Sequence, residues 1–227
     1  MDKISIIIPV YNESASINIF LERLAPLKNH CEIFFVDGGS GDDTVQRIKE
    51  YGGVVVSSAE KGRARQMNYG ASFANGEILW FLHADSLPPA TALDMIRRVL
   101  DRGYKIGCFP LRFDSSHPLM FLNAFMSNLR VRIRNIAFGD QGIFIRKDLF
   151  EDIGGYAAIP LMEDYRLSMD VTNMGLHIGM AAGKIVTSER RYLKNGRLKT
   201  IRRMWALQRS FRCGADIEEI AQAYDNS

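Results

Sequence analysis

The stretch Ile33-Phe34-Phe35-Val36-Asp37-Gly38-Gly39-Ser40-Gly41-Asp42-Asp43 decides the fold of this chain. An unbroken apolar run without polar alternation marks a strand covered on both faces, as in a parallel sheet. The run stops on an acid and then on glycines, which let backbone turn sharply or approach a ligand closely. A carboxylate at the carboxyl end of a buried strand belongs in the ligand crevice of an open α/β sheet. The pattern returns in Ile78-Leu79-Trp80-Phe81-Leu82-His83-Ala84-Asp85. Two acids delivered to one sheet edge suit a nucleotide and its metal better than they suit a core.

Around this stretch, strands and helices alternate. Ile4 to Val10 is a continuous apolar run, and Ile17, Phe20, Leu21, Leu24 and Leu27 recur at helical spacing up to Pro26. Asp42 or Asp43 can cap a short helix with Val45 and Ile48 inward, and Val54-Val55-Val56 reads as a third strand. A helix over 63–74, stopped by Asn75-Gly76, leads into the strand ending at His83. Strand–helix units in such succession imply parallel pairing with right-handed crossovers. Further on, Leu93, Ile96, Val99 and Leu100 predict a helix, Ile106 to Phe113 one strand and Pro118 to Phe138 an apolar helix. Gln141 to Arg146 reads as a strand, Glu163 to Met174 as a helix, and Ile178 to Thr187 as extended. The expected fold class is α/β, a Rossmann-like three-layer α/β/α sandwich with a mostly parallel sheet in a single domain.

At 227 residues the chain suits one α/β domain better than two. With 47% hydrophobic and 24% charged residues it has globular composition. Cys31, Cys108 and Cys213 lie too far apart for metal-ligand spacing, and their odd number argues for reduced thiols in a cytoplasmic setting. The opening residues lack a signal-peptide pattern, and no run reaches the ~18 uncharged apolar residues that a spanning helix needs. The net charge of +3 conceals an asymmetry: nine basic residues and no acids lie in 190–214, leaving 20 basic against 26 acidic elsewhere. Nucleic acid is therefore not an expected partner. Leu198, Ile201, Met204, Trp205 and Phe211 run through the basic stretch. Such a helix either lies on an anionic membrane surface or packs on the core with a charged outer face; the placement of Trp205 distinguishes them.

Several residues carry candidate chemistry. Pro9-Val10-Tyr11-Asn12-Glu13 follows the first strand, where Tyr11 can stack on a base and Glu13 bond to it, or the segment can be a plain capped turn. Asp37 either contacts a ribose or base or caps its own turn. Lys61, Arg63 and Arg65 open a helix whose dipole opposes them by ~0.3–1 kcal/mol each, a cost that a bound diphosphate offsets. Asp85 suits Mg²⁺ or Mn²⁺, and His83, two residues away, is tolerable to Mn²⁺. Glu163 and Asp164 begin a helix, where they either complement its dipole or supply a general base.

Taken in order, Ile8-Pro9-Val10-Tyr11-Asn12-Glu13, Phe35-Val36-Asp37-Gly38-Gly39-Ser40, the run Gly62 to Asn68, and Phe81-Leu82-His83-Ala84-Asp85 resemble family 2 glycosyltransferases. The resemblance is close over 4–87 and continues thinly through Gly139-Asp140-Gln141-Gly142 and Met162-Glu163-Asp164. It implies a GT-A fold and an inverting, single transfer of sugar from a nucleotide diphosphate sugar to an acceptor hydroxyl, aided by a divalent cation. By the same resemblance, 1–87 form the donor half, 88–189 the acceptor and catalytic half, and 190–227 a basic amphipathic helical region. Tyr11, Glu13 and Asp37 would hold the nucleoside, with Pro9 beside them. Arg65, or alternatively Arg63 or Lys61, would meet the diphosphate. Asp85 matches the last acid of the family's metal-binding Asp-x-Asp triplet, whose first position is His83 here. Asp164, paired with Glu163, matches the catalytic base.

The resemblance leaves the acceptor open, a lipid-linked one included, along with peripheral attachment to the inner face of a membrane. The chain lacks the transmembrane helices of the processive synthases, and Arg203-Met204-Trp205 only echoes their Gln-x-x-Arg-Trp box. Two rival readings are a sugar-1-phosphate nucleotidyltransferase and a silent nucleotide-binding protein of the same fold. Against the first, Tyr11-Asn12-Glu13-Ser14 stands where that class carries a Gly-rich loop with arginine.

Overall fold

The first strand, β1 (Ile4–Val10), sends Ile4, Ile6, Ile8 and Val10 into one core and Ile7 into a second. Successive side chains on a strand point to opposite faces, so two apolar faces require a helical layer on each. In the computed structural model, which describes residues 2–58 and 61–225, both layers are present. Met1 and 226–227, the ends of the expected domain, lie outside the described residues. On the first face α1 (Ile17–Leu24) contributes Phe20 and Leu24, and α4 (Ala92–Leu100) contributes Leu93 and Ile96. On the second face lie Met67 and Ala71 of α3 (Arg63–Phe73), Phe150 of α6 (Lys147–Ile153), and Leu167 and Val171 of α7 (Glu163–Asn173). Each of the larger side chains so buried contributes roughly 1.5–3 kcal/mol relative to exposure.

Between the layers runs a seven-stranded sheet. β2 (Glu32–Asp37) and β4 (Ile78–Phe81) flank β1 in parallel, and β3 (Val54–Ser57), joined to β2 through α2 (Thr44–Glu50), forms the edge. The order continues through β8 (Phe144–Arg146) and β6 (Ile106–Cys108) to β9 (Ile178–Met180). The chain moves outward from β1 to β3 and then returns to the far side of β1. That reversal opens a crevice beyond the carboxyl ends of β1 and β4. β8 is antiparallel to β4, so the segment preceding β8 reaches the same edge. A second sheet, β5 (Ser86–Leu87), β10 (Ile185–Thr187) and β7 (Leu111–Phe113), borders the crevice.

Four expected elements differ from what forms. The predicted strand over 106–113 is two strands, parted at Phe109-Pro110, and the predicted extended segment over 178–187 is also two. The chain crosses between the sheets at both places, with Ala181 N donating to Cys108 O and Ile185 N to Pro110 O. Apolar periodicity cannot reveal such a crossing, because residues on both sides of it are buried. The predicted helix over 118–138 is α5 (Pro118–Arg134), ended by Asn135 at φ 57°. The Asn135 side chain bonds Leu176 O and the Ile178 amide, tying the helix end to β9. The strand predicted from Gln141 begins at Phe144, because Gly139–Gln141 coil into one 3-10 turn.

The register of α3 on the sheet is set by Gly70. A Cβ there would lie 2.6 Å from both Ile7 Cγ2 and Val36 Cγ2. Gln66, one turn earlier, donates its amide to Val10 O and Val36 O, stapling the helix start to the carboxyl ends of β1 and β2. Gly70→Ala should therefore destabilise the protein by ~1–3 kcal/mol through overpacking, despite alanine's better helix propensity. The urea unfolding midpoint measures this; a midpoint at or above the parent's would show that α3 is free to shift.

Candidate active site

The turns after β1 and β2 are locked together before any ligand arrives. Asp37, the Cα partner of Val10, accepts hydrogen bonds from Gly39 N, Ser40 N and Ser40 Oγ. Ser40 Oγ in turn accepts from Asn12 N, and Asn12 Oδ1 accepts from Gly41 N. Asn12 sits at φ 53°, a left-handed conformation that asparagine tolerates better than most residues. Asp37 thus caps its own turn and is buried. Tyr11 is exposed, with the Lys61 ammonium 5.2 Å from its ring centroid. Glu13 accepts the Ser16 hydroxyl and lies 3.8 Å from Arg190.

Two adjoining cavities open at the switch point. One, about 410 Å³, is walled by Tyr11, Gly38, Lys61, Arg63 and Tyr224 among others. The second, about 200 Å³, gathers Arg63, His83, Asp85, Asp140, Glu163 and Asp164. Arg63 lines both and lies 3.5 Å from Glu163 Oε1. Pro9, Glu13, Asp37 and Arg65 line neither, so of the two arginines at the start of α3 it is Arg63 that stands in the wall.

Three segments bring the acids in. His83 and Asp85 sit in the turn after β4, the Asp85 carbonyl accepting from Ser188 N and Thr187 Oγ1 at the edge of the small sheet. Asp140 lies in the 3-10 turn before β8. Glu163 and Asp164 start α7 after Met162, whose φ of 65° reverses the chain ahead of the helix. Asp164 is held by Gly139 N on Oδ2 and Tyr165 N on Oδ1, both at 2.7 Å. Glycine at 139 lets the His83 ring pack directly on this turn: a Cβ there would stand 2.4 Å from His83 Nε2 and the imidazole would have to move.

Burial governs the ionisation of these groups. It pushes the Asp140 carboxyl up to about 6; neighbouring Arg130 pulls the other way, and Asp164 and Asp85 add to the rise. Burial also raises Glu163 and Asp164, whose charges oppose one another, while Arg63 partly offsets the effect. His83 goes down to about 3, through burial and then through Arg63, so its imidazole is neutral. Asp140 Oδ1, His83 Nε2 and Glu163 Oε1 are buried without hydrogen-bond partners. Among the described residues no three His, Cys, Asp or Glu side chains cluster as a metal site. The carboxylate oxygens of Asp85 and Asp140 in one cavity nonetheless fit a hard cation that completes its shell from a ligand's phosphates.

The model of glycosyl transferase family 2 matches residues 5–159. The chain belongs to that family. It is 25% identical over 203 residues to the probable glycosyltransferase YdaM of Bacillus subtilis, covering 78% of this chain and 48% of that protein. The mannosyltransferase PcManGT of Pyrobaculum calidifontis, solved with GDP-Man and Mn²⁺, superposes with TM-score 0.70 at 20% identity over 98% of this chain and 69% of that one. Residues 1–349 of S. aureus TarS, solved with UDP-GlcNAc, give 0.67 at 17% identity over 83% and 59%. At these identities the likeness shows the shared GT-A fold. The chain spans about half the length of the first curated relatives, 48% and 55% of them.

Arg63, His83, Asp85, Glu163 and Asp164, all candidates from the sequence, share one cavity. Asp140 had no role in the site by sequence, although Gly139-Asp140-Gln141-Gly142 signals a tight turn, and neither had Arg191, Tyr192 or Tyr224, which close the cavity from the C-terminal side. No local pattern marks those three. A raised carboxyl confers stability that is full below the unfolded-state value and is lost as pH rises through the folded one. The parent's melting temperature should therefore fall between about pH 4 and pH 6 partly through Asp140. Asp140→Asn should fall less over that interval and melt higher at pH 7; parallel melting curves for the two proteins would remove the ionisation argument.

Proposed function

We propose that this chain transfers a sugar from a nucleoside diphosphate sugar to an acceptor hydroxyl, with inversion and one sugar per encounter. The observation that carries the reading is the meeting of Arg63, Asp85 and a buried, proton-seeking carboxylate pair in one cavity at the sheet's switch point. The adjoining cavity, with Tyr11 as a stacking face and Lys61 at its rim, takes the nucleoside. Asp37 acts from beneath, holding the turn whose Gly38 backbone lines that cavity. PcManGT and TarS, of the same fold, were solved with GDP-Man and with UDP-GlcNAc, which supports a donor of this class.

In this reading Arg63, between the two cavities, binds the diphosphate where negative charge builds up as the sugar leaves. Asp85, with Asp140 beside it, would hold a Mg²⁺ or Mn²⁺ ion. A cation held there would supply positive charge where the diphosphate departs. Asp164 Oδ1 and Oδ2 each keep a lone pair beyond the bonds from Tyr165 N and Gly139 N, and one accepts the acceptor's proton. The two amides keep the carboxylate aimed into the cavity. Glu163 orients Arg63. Neutral His83, wedged on Gly139, fixes the spacing of the β4 and β8 turns.

Asp164→Asn should lower turnover by ~10²–10⁴ with donor affinity nearly intact. Glu163→Gln should mainly weaken donor binding by loosening Arg63. Isothermal titration with UDP- and GDP-sugars, alongside product assays, separates the two; near-parental turnover in the Asp164 variant sinks the assignment of the base. A melting-temperature panel of nucleoside diphosphate sugars with and without Mn²⁺ should show a cation-dependent rise, since ligands of the folded state stabilise it by mass action. The rise should vanish in Asp85→Asn, and a full shift without cation would remove the metal from the proposal.

A further inference from the structure

α5 buries Met120, Asn123, Ala124 and Val131 and turns an apolar stripe to solvent. On that outer face Phe121 is 59% exposed, Leu122 55%, Phe125 60%, Met126 38% and Ile133 71%. Their spacing of i, i+4 and i+11 or i+12 keeps them on one side of the helix. Contiguous exposed apolar surface of this kind marks a contact surface rather than ordinary scatter.

Beside it, after the short α8 (Arg190–Asn195), lies α9 (Arg197–Arg212), which buries Thr200, Ile201 and Leu207. Its outer side carries Leu198 and Trp205, exposed by 55% and 51%, among Arg202, Arg209 and Arg212. The two outer faces meet in a groove of about 600 Å³ lined by Met126, Ile133, Trp205, Arg209 and Arg212. Trp205 is thus on the outside of the domain, which is the placement expected of a surface-binding helix rather than a core-packed one. Neither α5 nor α9 contains an acidic residue. The acids that follow, Asp216, Glu218 and Glu219, lie in the next segment, the last two on α10 (Ile217–Asp225).

We infer that the joint face of α5 and α9 docks this protein on an anionic lipid bilayer, with Phe125, Ile133 and Trp205 entering the headgroup boundary and Arg202, Arg209 and Arg212 facing lipid phosphates. An apolar stripe flanked by arginines without acids complements anionic lipid, and a tryptophan at its margin suits the interface. A protein partner would have to be correspondingly acidic and apolar at once. α5 also leads to the catalytic cavity: Arg130 lines the groove while donating to Ile136 O and Gln141 Oε1, beside the turn that holds Asp140. A docked face therefore lies one helix away from the acids.

The test is co-sedimentation of the whole chain with vesicles of phosphatidylcholine alone and with about one third phosphatidylglycerol. Binding should require the anionic lipid and weaken as salt is raised. Arg209→Gln with Arg212→Gln should lower it about 25-fold at low ionic strength, near five-fold for each charge lost. Phe125→Ser and Trp205→Gln should each lower it as well, with melting temperatures near the parent's because these side chains are exposed. Equal binding to both vesicle types, or none to either, overturns the inference. So does a concentration-dependent dimer in light scattering that Phe125→Ser abolishes while lipid binding is absent, since the face would then join two copies.

Discussion

A guanidinium surrounded by carboxylates is the feature on which the rest of this molecule turns. Burial opposes the charge on Arg63, yet Glu163, the Tyr224 hydroxyl, Asp164 and Asp85 together more than offset that and strengthen it. Arg63 also opens a helix, where the dipole disfavours a cation. It is held there by the acids opposite, and those acids come from segments distant in the chain. Removing the guanidinium would leave Glu163 and Asp164, which are buried, without the charge that offsets their desolvation, a greater cost than losing a surface ion pair.

That dependence explains the scaffolding around it. Gln66 staples the start of α3 to the ends of β1 and β2, so Arg63 cannot drift away from the sheet edge. Gly70 seats the next turn against Ile7 and Val36. On the opposite side Gly139 lets His83 pack directly on the turn before β8, which in turn supplies the amide that holds Asp164. Three buried polar atoms without hydrogen-bond partners, Asp140 Oδ1, His83 Nε2 and Glu163 Oε1, remain in the cavity wall, an arrangement that a folded protein tolerates where a ligand completes it.

Much of this was legible one residue at a time. Apolar runs without alternation in β1, β2 and β4 announce a parallel sheet, because only strands covered on both faces can afford them. The acids at the ends of those runs announce the crevice. Asp37 shows the limit of such reasoning: its position is right, yet its carboxylate is engaged by Gly39 and Ser40 and lines neither cavity. Arg63 and Arg65 stand two positions apart on one helix, and only the direction of α3 against the sheet turns the first inward and leaves the second exposed. The broken strands over 106–113 and 178–187 were illegible because burial continues across the break.

The amino-acid order alone determined the layered α/β class, the parallel first half, the family resemblance and the candidacy of Asp85, Glu163 and Asp164, since each follows from short-range pattern. Tertiary structure alone decided which cation meets them, that Asp140 joins them, that Tyr224 closes the cavity, and that Trp205 faces outward. The physical reason is range. Periodicity and turn chemistry act over a few residues, whereas desolvation and charge pairing depend on which distant segments the sheet order brings to one edge.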